Sequence, residues 1–114
     1  MSKSDRDLLE RVVFGEAGNN YKNAAIVAQT FRDYIVYKGY TSIKDIVKDC
    51  KYSGRTNRGT TKNVKNACKF IFDEGGIAVK HKVFCFYAPK YCKSSWHEKQ
   101  HFVIEYGGHR YFSF

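Results

Sequence analysis

Proline is nearly missing from this chain, with one in 114 residues, so it is neither a Pro-rich linker nor a polyproline segment. Acidic residues are also scarce, eleven against twenty Lys and Arg, and the resulting charge of +9 implies attraction to a polyanion: nucleic acid, an acidic membrane or an anionic cell-wall polymer. No apolar run reaches the roughly twenty residues that span a bilayer, which argues against membrane insertion. The polar start MSKSDRD lacks the hydrophobic segment of a secretory signal, so the expectation is synthesis in the cytoplasm and arrival at any external target by another route. Four cysteines, Cys50, Cys68, Cys85 and Cys92, are too widely spaced for a disulfide framework and are expected to be free thiols, mostly buried.

What is abundant is apolar and aromatic: 43% hydrophobic and 17% aromatic residues exclude a disordered chain and suit one core, hence a single domain over residues 1–114. Helical periodicity dominates the first two thirds. Leu8, Leu9, Val12 and Val13 recur at three- and four-residue steps after a start at Ser4. The same spacing carries Glu16 onto the apolar face, at or just past the last turn before Gly18. A carboxyl held there among hydrophobes keeps its proton to higher pH, the preparation of a general acid; the alternative is a helix-end Glu reaching solvent.

A second helix is predicted from Tyr21 to about Lys38, capped by Asn20, with Ala24, Ala25, Ala28, Phe31 and Ile35 inward. A third runs from Ile43 to Val47 behind Ser42, and the segment DCKYSGRTNRGTT reads as an exposed loop. Thr60 or Thr61 opens a fourth helix with Val64, Ala67, Cys68 and Ile71 on one side and Lys62, Lys65 and Lys69 opposite. The period then changes to alternation in KVFCFYAP, HFVIEY and HRYFSF, with Gly107-Gly108 as a two-residue hairpin turn. The fold class is α+β: about four helices followed by a three-stranded antiparallel sheet.

In this order the segments resemble the spore cortex-lytic and cell-wall hydrolase family typified by SleB and CwlJ. LLERVVFGEAG is similar to the family's helix running into Gly-Glu-Ala, here Gly15, Glu16 and Ala17. Tyr21 and the Ala-rich second helix follow. Tyr52-Ser53 looks like the family's aromatic-Ser pair, VFCFYAPK like its strand ending in Pro and Lys, and Cys92, Trp96 and GGHRYF like its closing segment with a His and paired aromatics. Two places depart: Phe31-Arg32-Asp33-Tyr34 stands where the family has Asn-Arg, and Lys51 where it has Gln.

The resemblance implies a small lysozyme-like domain that cleaves the peptidoglycan backbone at muramic acid linkages, with Glu16 as the catalytic carboxyl. Substrate contacts are expected from Tyr52, Ser53, Tyr87, Trp96 and His109. The partners are glycan strands and anionic wall polymers, met by a monomer that needs no cofactor. Glycoside cleavage by two carboxylates needs a second acid roughly 5–10 Å from the first. Asp33, Asp73, Glu74, Glu98 and Glu105 are available, but none has a setting like that of Glu16. That favours a one-acid reaction in which the muramic sugar's own hydroxyl attacks and an anhydro product forms. The biological setting would be a phage endolysin or a spore lytic enzyme.

A zinc site from Cys85, Cys92, His97 and His101 fits poorly, because the pairs are too close in sequence and Cys85 falls in a strand, so no metal is expected. The competing class is a basic nucleic-acid-binding module in which the positive charge contacts phosphates and aromatics stack on bases.

Overall fold

The computed structural model describes residues 1–50, 52 and 59–114. Helix α1 spans Lys3–Ala17 and is capped by Ser2, whose hydroxyl accepts the Asp5 N–H at 3.1 Å, two residues ahead of the expected start at Ser4. Gly18, at φ 69°, closes it with an N–H to the Phe14 carbonyl at 2.8 Å, so Glu16 stands in the last turn. The Asp5 carboxylate also accepts the Ile43 N–H at 3.1 Å, which fastens the start of α3 (Ile43–Asp49) to α1.

Helix α2 (Tyr21–Lys38) is the central element, capped by Asn20 and closed by Gly39 in the left-handed region. Ala24, Ala25, Ile26, Val27, Ala28 and Phe31 are buried on it, against Leu9, Val12 and Val13 of α1 and Val64, Ala67 and Cys68 of α4 (Lys62–Cys68). Small alanines let the helices approach closely, while each large apolar side chain removed from water contributes about 1.5–3 kcal/mol. Helix α4 continues into one turn of π-helix, Lys69–Asp73, where Arg32 Nη1 donates to the carbonyls of Ile71 at 3.1 Å and Gly76 at 2.5 Å. Lys62, Lys65 and Lys69 are exposed, opposite this core.

The sheet has the order β1-β3-β2 and is antiparallel throughout: β1 is Cys85–Tyr87, β2 is His101–Tyr106 and β3 is His109–Ser113. Gly107 and Gly108, at φ 60° and 83°, make the hairpin between β2 and β3, positive at both positions as a two-residue turn of this hand requires. His109, Tyr111 and Ser113 are buried along the central strand. Phe112 meets Tyr87, His97 and Phe102 at ring distances of 5.8–6.0 Å, so both faces are covered.

Three expectations need correction. The eight-residue strand KVFCFYAP pairs only over Cys85–Tyr87; Val83, read in phase with Cys85 and Tyr87, lies in the helical core because its N–H is drawn to Asp33 on α2. A fifth helix, α5 (Ser95–Glu98), precedes β2, capped by Ser94. The cysteines are unpaired, but Cys68 alone is buried; Cys50 and Cys85 are half-buried and Cys92 is exposed.

Candidate active site

A cleft of about 530 Å³ opens where the end of α1, the end of α3, β1, α5 and β3 meet. Glu16 enters it from the last turn of α1, half-buried rather than open to solvent. The carboxylate lies within electrostatic reach of two phenols on the inner side. Burial pushes the Tyr52 hydroxyl well above the ordinary phenol range, and the Cys50 thiol and the Glu16 charge push it further. Burial does the same to Tyr111, again with a contribution from Glu16.

Tyr52 meets Phe31 at 4.3 Å with its ring tilted and stacks on Phe86 at 5.9 Å, which fixes its ring between the helical core and β1. Tyr87 also lines the cleft and donates its hydroxyl to Glu98, which receives Arg110 Nε at 2.8 Å and Nη2 at 3.1 Å as well. This Tyr87–Glu98–Arg110 group holds α5 against the sheet. Trp96 therefore stands at the cleft edge, 54% exposed, with its ring edge-on to His97 at 5.0 Å and to Phe114 at 6.2 Å. His109 forms part of the floor, edge-on to Phe86 at 4.9 Å, and burial lowers its basicity.

Thus Glu16, Tyr52, Tyr87, Trp96 and His109, chosen from five separate stretches of sequence, line one cleft. Ser53 lies outside the described residues. Tyr34, Phe84 and Phe114 also reach the cleft and were missed, because they come from a helix otherwise read as core, a pre-strand residue and the last position of the chain. So were three thiols, Cys50, Cys85 and Cys92.

None of the carboxylates expected as weak partners for Glu16 lines the cleft, and four of the five are engaged elsewhere. Asp33, 2% exposed, accepts the Val83 N–H and Gln29 Nε2 in the core. Asp73 is paired with Arg6, and Glu98 and Glu105 with Arg110. Asp49, not among the candidates, does line the cleft, exposed at the end of α3 and hydrogen-bonded by the Tyr40 hydroxyl. Among the described residues no group of three His, Cys, Asp or Glu side chains is arranged to hold a metal.

The architecture has close counterparts among solved structures. The catalytic domain of the germination-specific lytic transglycosylase SleB from Bacillus anthracis superposes with a TM-score of 0.73, over 99% of this chain and 97% of that one, at 15% identity. The chain has the fold of a SleB catalytic domain. The corresponding domain from Bacillus cereus gives the same TM-score of 0.73, at 16% identity, over 98% of this chain and 91% of its own. No protein-family model matches the chain. No curated protein matches it in sequence. At such identities the likeness is one of backbone, and it agrees with the α+β, lysozyme-like class expected from the order of segments.

Proposed function

We propose that this protein is a peptidoglycan-degrading enzyme of the lytic transglycosylase type, which cleaves the glycan backbone at muramic acid linkages with Glu16 as the acid. One observation carries the reading: the half-buried Glu16 sits in an aromatic-walled cleft on the backbone of a SleB catalytic domain. Departure of the bridging sugar oxygen requires a proton while positive charge grows on the ring, and a half-buried carboxyl on the cleft is suited to supply it. Trp96 and Tyr87 offer ring faces to sugars, and the exposed Lys62, Lys65 and Lys69 offer charge to the phosphates and carboxylates of wall polymers. As part of the same proposal, the protein acts on the bacterial wall after release, as a phage endolysin or a spore lytic enzyme.

Asp49 favours a second reading. A carboxylate on the same cleft could activate water, which would make the enzyme a muramidase instead.

Purified wild type and Glu16→Gln are compared for loss of turbidity of a cell-wall suspension, and the products are weighed. Clearing by the wild type with none by the variant supports the proposal, and muropeptides that have not gained water identify the anhydro reaction. Products that all carry an added water transfer the assignment to the muramidase. Walls left intact by the wild type, with tight oligonucleotide binding, would establish the nucleic-acid module instead.

A further inference from the structure

Behind His109 runs a buried polar chain whose donors and acceptors can be assigned one by one. Asn23 Nδ2 donates to the Ala17 carbonyl at 3.4 Å, and a carbonyl can only accept. The amide oxygen of Asn23 is therefore the end facing Tyr111, whose hydroxyl donates to it at 2.6 Å. Having given up its one proton, the Tyr111 oxygen can only accept from His109 Nδ1, at 3.4 Å. Nδ1 thus carries the imidazole hydrogen, and Nε2 keeps its lone pair.

Two features make the arrangement rigid. Asn23 and Tyr111 are buried, on α2 and on the central strand. Gly107, at φ 60°, lets the hairpin close on Asn23, since a Cβ there would stand 2.5 Å from Nδ2. With Nδ1 turned inward and the ring on the cleft wall, Nε2 is the imidazole nitrogen left for a ligand that also meets Glu16.

We propose that Nε2 of His109 accepts the proton of the attacking hydroxyl, and that Tyr111 and Asn23 are positioning residues that hold the imidazole in this tautomer. The role rests on the reading of the cleft as a glycan-cleaving site. In the step, the C6 oxygen of the muramic ring bonds to the anomeric carbon while that carbon's bond to the bridging oxygen breaks. The bridging oxygen takes the Glu16 proton, and the C6 hydroxyl proton passes to Nε2. The imidazolium then returns a proton through solvent to the Glu16 carboxylate, so both groups end as they began. Burial favours the neutral ring and extends its readiness to lower pH. Besides His109, the titratable groups lining the same cleft are Glu16 from α1, Tyr34 from α2, Asp49 and Cys50 at the end of α3, Tyr52, Cys85 and Tyr87 from β1, Cys92 ahead of α5, and His97 from α5.

Long-range proton–nitrogen NMR of the ligand-free wild type at pH 8 reads the tautomer directly. A protonated Nδ1 with a bare Nε2 is expected, shifting toward protonated Nε2 in Tyr111→Phe; a wild type protonated on Nε2 overturns the assignment. On peptidoglycan, His109→Gln lowers kcat by about 100-fold with KM nearly unchanged, and the acid limb of the pH profile disappears. His109→Asn serves as the second variant should the first fail to fold. A cleaving wild type with undiminished folded variants overturns the role of His109 alone. A wild type that leaves peptidoglycan intact overturns the cleft reading and the role with it, whatever the tautomer.

Discussion

The Asp33 carboxylate lies 3.1 Å from the backbone nitrogen of Val83, fifty residues away in sequence, inside the core. One helical turn earlier, Gln29 completes the junction: its oxygen accepts the N–H groups of Ala78 at 2.7 Å and Val79 at 3.1 Å, and its nitrogen donates to the carbonyls of Val79 and His81. Together the two side chains satisfy backbone groups of the segment that leads into β1.

Replacing Asp33 with Ala leaves the Val83 N–H buried without an acceptor, at a cost of about 2–3 kcal/mol. Gln29→Ala strands several backbone groups at once and is expected to cost at least as much. Urea unfolding followed by circular dichroism measures both. A loss below about 0.5 kcal/mol for either would mean that the junction does not hold the segment.

Alkaline pH loosens the fold through its thiols. Burial pushes Cys68 from 9.0 up to about 12 and Cys85 up to about 11. The unfolded chain therefore releases these protons first, so stability is full below pH 9.0 and declines as pH rises toward 12. Cys68→Ala flattens part of that decline in unfolding measured from pH 8 to 11. Alkylation of the native protein with iodoacetamide, read by mass spectrometry, is expected at the exposed Cys92 first and at Cys68 only after denaturation.

The cleft edge continues outward as a run of rings. Trp96 meets Phe114 at 6.2 Å, Phe114 stacks on Phe84 at 5.1 Å, and Phe84 meets Tyr37 at 5.0 Å. Trp96 and Phe114 are each about half exposed, so truncating them opens no cavity in the core. Trp96→Ala is expected to raise KM for solubilised glycan strands roughly tenfold, equivalent to about 1.4 kcal/mol, with an unchanged melting temperature. Equal KM values would remove Trp96 from the sugar-binding surface.

Glu16 could be placed from sequence because its position follows from helical spacing alone: Leu9, Val12 and Val13 fix the buried face, and Gly18 fixes the end. Tyr52, Tyr87, Trp96 and His109 were legible through the resemblance of short segments, although nothing in their spacing says that they converge. The missed residues follow from tertiary contacts. Asp49 reaches the cleft because Asp5 ties α3 to α1, a contact that no local pattern announces. Asp33 carried a signal that periodicity does expose: with Gln29 and Thr30 it is a polar side chain within the buried part of α2, where such a group persists only if something pairs with it.

A π turn is an α-helix carrying one surplus residue, and the stretch Lys69–Asp73 absorbs its surplus by giving the Ile71 carbonyl to Arg32. Deleting a single position there would restore ordinary winding and swing everything downstream by about a hundred degrees about the helix axis. Phe70 would leave Gly76, where its ring fills the space a Cβ would need, and the Gln29–Asp33 junction would meet the wrong backbone. The cleft wall at β1 is therefore phased by a π turn that already ends at Asp73, well ahead of Cys85, so loss of the surplus residue would have to be made up in the connection between them.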